Sequence, residues 1–284
     1  MEMVQTKLII LSSLIAAVLS SCAGRSFSWT CHDIDASRTG VTAPNADNVT
    51  QALGSLTDSC YTSPSGRVFP PSSCTYAAAR DLIAAQPSMK RLKQVIGYSS
   101  EEMLRGGVNT KLSNWIVDHL REDVQRLTSR RCDVGIINKG GIRVDLPQGD
   151  VIMDDMVSML PFRNYLCYVA LKGKDLKALF DTLAAGGMQP VSGVKVVVSD
   201  NKVESLLVGG EPVDDDKVYG VATIDFLLDG GDRINVAKNA LEVIITDKMV
   251  IDSMLPYAMS YAQRGENIEY FTDDRIVFRK EDEQ

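Results

Sequence analysis

Apolar residues recur at helical spacing over 110–128, where Leu112, Trp115, Ile116, Leu120, Val124 and Leu127 form one stripe with His119 beside it. Such a stripe predicts an amphipathic helix with one buried face. Residues 174–185 and 249–264 predict two more helices. A fourth, over 75–85, should end at Gln86-Pro87, because a proline drives the preceding residue out of helical geometry. Short apolar runs predict strands over 93–98, 132–137, 165–171 and 218–224. The runs 194–198 and 203–208 flank Ser199-Asp200-Asn201-Lys202 and predict a hairpin. Residues 144–152 predict an extended stretch broken by a Pro-Gln-Gly-Asp turn. Two short strands around Thr272-Asp273-Asp274 are expected to close the chain. Helices and strands mix without strict alternation, which predicts an α+β fold with a mixed sheet flanked by helices.

The first 74 residues break this regularity. Lys7 precedes an apolar run from Leu8 to Leu19, followed by small residues. That is the layout of a secretory signal, too short to span a bilayer comfortably. Leu19-Ser20-Ser21-Cys22 resembles a bacterial lipobox, so Cys22 is expected to carry lipid after cleavage. Ala23 follows it where an Asp would signal inner-membrane retention. The expectation is therefore a signal peptide over 1–21 and an outer-membrane lipoprotein facing the periplasm. A plain cleaved signal with an incidental cysteine is the simpler alternative. Residues 22–74 are expected to be a lipidated tether and a loop-rich segment, and 75–284 the folded domain.

Composition narrows the partners. The 284 residues are 45% hydrophobic and 24% charged, ordinary for a globular protein. A net charge of −7 gives the wrong electrostatic sign for a nucleic-acid backbone. Beyond Cys22 there remain Cys31, Cys60, Cys74, Cys132 and Cys167, an odd set that leaves at least one thiol free. Cys60 and Cys74 flank a Pro/Gly/Ser-rich loop and make the favoured disulfide. Cys132 and Cys167 sit in apolar runs and read as buried thiols.

Three short motifs carry candidate chemistry. Asn138-Lys139-Gly140-Gly141-Ile142-Arg143 follows an apolar strand. Its glycines permit close backbone approach, and Arg143 can fork onto an anion or stack on a ring. Taken alone, it reads better as a tight turn with an exposed arginine. Leu160-Pro161-Phe162 offers an aromatic at a chain break, which burial statistics would assign to the core. Phe226-Leu227-Leu228-Asp229-Gly230-Gly231-Asp232 offers an aromatic, a glycine pair and a carboxylate. Two aromatics can sandwich a base, and a neighbouring carboxylate suits ribose hydroxyls.

In this order, Asn-x-Gly-Gly-Ile-Arg, Leu-Pro-Phe and Phe-x-x-x-Gly-Gly-Asp resemble the C-terminal domain of the 5'-nucleotidase and UDP-sugar hydrolase family. The resemblance runs from about residue 94 to 278. It implies that Phe162 and Phe226 clamp the base, Asp232 binds ribose hydroxyls, Asn138 bonds the base and Arg143 holds the phosphate region. Gly140, Gly141, Gly230 and Gly231 would shape the two loops. Arg105 matches a further phosphate-binding arginine if one gap is allowed. Where the family commonly continues Gly-Phe after the aspartate, this chain has Arg233-Ile234, which bears on the shape of that edge.

Members of the family hydrolyse phosphate esters with two metals in a separate N-terminal domain, through motifs rich in His, Asp and Asn. This chain has two histidines, His32 and His119, too few for that set. The resemblance therefore implies a split enzyme. This chain would bind a nucleoside 5'-monophosphate or nucleotide sugar, hold no cofactor itself, and act with a separate metallophosphatase chain carrying divalent metals. The alternative is a non-catalytic nucleoside or nucleotide-sugar binding lipoprotein.

Overall fold

The computed structural model describes residues 48–279. The expectations for the signal peptide, Cys22, Cys31 and His32 lie outside those residues. A short helix α1 (Val49–Leu53) leads into an antiparallel meander of β1 (Ser55–Leu56), β2 (Tyr61–Thr62) and β3 (Val68–Phe69). This stretch was expected to be irregular. Its strands are two residues long, so no alternation of apolar and polar positions could be read. Cys60 and Cys74 are both free thiols, contrary to the favoured disulfide.

Helix α2 (Cys74–Met89) starts at Ser73, whose hydroxyl accepts from the Tyr76 N–H. It runs past Pro87, which was expected to stop it. In the last turn the proline forfeits a single backbone bond, and the Gln86 carboxamide donates to the Leu82 carbonyl at 3.0 Å. Strand β4 (Val95–Ser99) follows, then α3 (Lys111–Thr128). Thr110 and Ser113 cap α3 reciprocally: each side chain accepts from the other's backbone N–H. Leu112, Trp115, Ile116, Leu120 and Val124 are fully buried, so the predicted stripe is the packed face.

The chain continues through β5 (Val134–Ile136), β6 (Gly149–Ile152), α4 (Met153–Met159) and β7 (Tyr165–Lys172). Next come α5 (Gly173–Ala185), β8 (Val191–Ser192), β9 (Val194–Ser199), β10 (Lys202–Val208) and β11 (Glu211–Pro212). Last are β12 (Val218–Ile224), β13 (Glu242–Met249), α6 (Val250–Arg264) and β14 (Ile276–Arg279). The hairpin of β9 and β10 turns at Asp200 and Asn201, both with positive φ. One strand, β14, stands where two were expected. Residues 272–275 are instead occupied by Arg275, whose guanidinium donates to Asp118 and Asp273.

The central sheet runs β13-β7-β12-β5-β8, with β5 and β12 parallel and the other pairs antiparallel. A second sheet runs β11-β10-β9-β14 and includes a parallel β9–β14 pair. Helix α3 lies across β5, β7, β8 and β12. The fold is α+β with mixed sheets flanked by helices. No helix among the described residues is long and apolar enough to cross a membrane.

Candidate functional site

Topology brings the three motifs to one edge. β5 and β12 are parallel neighbours, so the loops at their carboxyl ends, 138–143 and 225–233, emerge side by side. β7 is antiparallel to β12, and its first residues pair with the end of β12, with Leu166 opposite Ile224. The Leu-Pro-Phe segment that enters β7 therefore arrives at the same edge. The carboxyl ends of parallel strands are where open α/β sheets place ligands, for this geometrical reason.

Hydrogen bonds then lock the loops together. The Asp225 carboxylate accepts from the backbone N–H of Tyr165 at 3.0 Å and of Phe226 at 2.9 Å. The Arg143 N–H donates to the Met159 carbonyl at 2.9 Å, tying the glycine loop to the end of α4. Gln189, buried behind the loop, accepts from the Lys139 N–H at 2.8 Å.

Between the loops lies a cavity of about 250 Å³, lined by Asn138, Gly140, Arg143, Phe162, Asn164, Phe226 and Asp232. Phe162 and Phe226 are 47% and 44% exposed, so neither ring is spent on the core. The core assignment that burial statistics favoured for Phe162 is thus replaced by a place at the cavity wall. Arg143 donates to the Gly140 carbonyl at 3.1 Å, and its guanidinium carbon lies 5.8 Å from the Phe162 ring centre. Most of its donors stay free for an anion.

Asn138 and Asp232 stand 94 residues apart in sequence and meet at 2.9 Å, the Asn138 amide donating to the carboxylate. That bond fixes the carboxylate and leaves it lone pairs for further donors. The buried Asn138 Oδ1 has no partner among the described residues. Two glycines are needed for this geometry. A Cβ on Gly141 would lie 2.8 Å from Asn138 Oδ1, and one on Gly231 would lie 2.0 Å from the Phe226 carbonyl oxygen. Gly230 has φ +93 and opens the turn that carries Asp232.

Arg105 is not among the residues that line the cavity. Its backbone N–H donates to Asp145 at 2.6 Å, and its exposed guanidinium lies 3.9 Å from the same carboxylate. Asn164 lines the cavity and was missed. It sits two residues after Phe162, and nothing in its type or spacing sets it apart from an ordinary loop asparagine. Asp225 was missed too, because a carboxylate that only accepts backbone bonds leaves no motif.

The described residues do not fit a two-metal centre. No three His, Cys, Asp or Glu side chains among them are grouped to hold an ion. His119 Nδ1 lies 2.7 Å from the Trp115 carbonyl, and its ring packs edge-on against Tyr257 at 4.0 Å.

Fold and cavity thus define an α+β binding domain built around two exposed aromatic rings and a fixed carboxylate. The sequence model described as "5'-nucleotidase, C-terminal domain" matches residues 95–239, and the chain belongs to that family. Protein UshA of Escherichia coli strain K12 is 34% identical over 107 residues, covering 35% of this chain and 19% of that protein. "Silent protein UshA(0)" of Salmonella typhimurium is 31% identical over 105 residues, with the same coverage of 35% and 19%. The crystal structure of a 5'-nucleotidase precursor from Thermus thermophilus superposes with a TM-score of 0.61 at 26% identity. The match covers 72% of this chain and 43% of that one. The chain spans about a fifth of the length of these curated relatives.

Proposed function

We propose that this chain is the nucleotide-recognising part of a split 5'-nucleotidase in nucleotide catabolism, with hydrolysis performed by a separate metallophosphatase chain. The observation that carries the reading is the cavity itself: two half-exposed phenylalanines, with Asp232, on the Phe226 loop, fixed by Asn138 of the glycine loop. A base stacks between Phe162 and Phe226, each face contributing ~1–3 kcal/mol. Asp232 accepts from the ribose hydroxyls, and Asn138, beside it in the cavity lining, bonds the base. Arg143 holds the phosphate region and presents the ester outward.

Binding energy gathered on the base and ribose then orients the ester over the partner's metals. The shortage of histidines supports a partner for that step: the sequence holds two, and His119 is committed to Trp115 and Tyr257. The lipobox-like Leu-Ser-Ser-Cys22 supports a lipid anchor in the outer membrane, with the domain facing the periplasm.

The test is phosphate release from AMP in the presence of divalent metal, for the full chain alone and mixed with a candidate metallophosphatase. Release only from the mixture, with AMP turned over faster than by the phosphatase alone, supports the split. Release from the isolated chain refutes it. Nucleoside binding without any partner-dependent hydrolysis would leave a non-catalytic nucleoside or nucleotide-sugar binding lipoprotein.

A further inference from the structure

The loop that carries Asp232 also walls a second cleft. Behind that residue a cavity of about 490 Å³ is lined by Thr182, Gly186, Gln189, Asp232, Arg233 and Ile234, among others. Asp232 is the wall that this cleft shares with the nucleotide cavity. Asp232 and Arg233 have φ of 51° and 63°. Two successive left-handed residues that are not glycine persist only where their surroundings hold them. Backbone bonds do so here: the Gly230 N–H donates to Ile234, Arg233 to Gly230, and Ile234 to Gly231.

The Arg233 guanidinium itself has no hydrogen-bond or ion-pair partner among the described residues. Helix α5 ends at the cleft, and its negative pole opposes an anion there, an opposition limited by the capping of all but its last carbonyl. Its Thr182, Leu183 and Ala184 carbonyls already accept from the N–H groups of residues 186–188. Gln189 spends its oxygen on the Lys139 N–H, which leaves its amide hydrogens as donors.

We propose that this cleft is a second subsite, which takes a phosphate ester on the ribose 2' or 3' oxygen, with Arg233 as its specificity-determining cation. The proposal rests on the reading that Asp232 binds ribose hydroxyls. Esterifying one of the two vicinal hydroxyls leaves the other on Asp232 and sets the ester beside that carboxylate, where the second cleft begins. A phosphate there would be repelled by Asp232 alone. The adjacent guanidinium offsets that repulsion and offers a fork of donors matched to phosphate oxygens.

Calorimetry on the full chain tests this with adenosine, AMP, adenosine 3',5'-bisphosphate and its 2',5' isomer, comparing wild type with Arg233→Gly. Glycine suits the left-handed φ, so the variant keeps the turn. The expected result is that one bisphosphate binds wild type about tenfold more tightly than AMP, the size of one charge-assisted hydrogen bond. In Arg233→Gly that preference disappears while adenosine affinity is unchanged. The subsite is overturned if adenosine and AMP bind but neither bisphosphate binds more tightly than AMP, or if the preference survives in Arg233→Gly. If adenosine does not bind wild type, the ring clamp itself falls and the subsite falls with it.

Discussion

Gly231→Ala is the perturbation whose effect follows most directly from geometry. The new Cβ would lie 2.0 Å from the Phe226 carbonyl oxygen and 2.8 Å from Phe226 Cδ1. Real Cβ atoms essentially never approach closer than 3.0 Å, so the carbonyl must retreat by about 1 Å, an overpacking that costs ~1–3 kcal/mol of stability. Phe226 cannot move alone, since its N–H is tied to the Asp225 carboxylate, which also holds the start of β7. The ring is therefore expected to leave its stacking position. Losing one face of the clamp weakens adenosine binding by ~1–3 kcal/mol, or roughly 5- to 150-fold.

Isothermal calorimetry measures the binding loss and a urea melt measures the stability loss. Gly210→Ala separates the two effects. Gly210 has φ +90 with nothing within 4 Å of a Cβ, so that change imposes only left-handed strain of ~1–2 kcal/mol at a turn remote from the cavity. Gly210→Ala should shift the melt and leave adenosine affinity alone. Wild-type adenosine affinity in Gly231→Ala would refute the assignment of Phe226 as a stacking ring.

Three further outcomes are expected. Phe162→Ala should weaken adenosine by ~1–3 kcal/mol with little change in the melt, because the ring is half exposed; a large stability loss with unchanged affinity would return Phe162 to the core. Arg275→Met removes a buried guanidinium paired with the largely buried Asp118 and the exposed Asp273 and should cost ~3–5 kcal/mol in urea melts at neutral pH, chiefly through Asp118. The Arg275 guanidinium holds the Asp273 carboxyl below its ordinary value of 3.8, mainly by hydrogen bonding. That stability is present above the unfolded value and lost as pH falls through the lower folded one. The gap between wild type and Arg275→Met should therefore narrow in acid, and a constant gap would contradict the pairing. Burial pushes the Cys132 and Cys167 thiols up to about 12, so an alkylating reagent at neutral pH should label them only after unfolding, as read by mass spectrometry.

Long periodic elements were legible from the chain. The stripe of α3 and the whole of β12 were recovered because a buried face spanned each of them. α4 was not, because seven residues with Asp154 and Asp155 in the first turn show too little periodicity. β13 escaped because it is an edge strand with Val243 and Ile245 exposed, so its apolar positions mark no single buried face. In the site, motif identity pointed to Asn138, Arg143, Phe162, Phe226 and Asp232, which the structure gathers around one cavity. Their convergence depends on β5 and β12 lying parallel and adjacent, which no local pattern encodes. Arg105 shows the converse: its sequence position matched a phosphate ligand, but Asp145 sits within reach of its side chain.

The central claim is that the cavity between Phe162 and Phe226 recognises a nucleotide. The most direct measurement is calorimetry of the full chain with adenosine, for wild type and Phe226→Ala. The account predicts saturable binding by wild type, weakened roughly 5- to 150-fold in Phe226→Ala. No binding by either protein, or equal affinity in both, would contradict it.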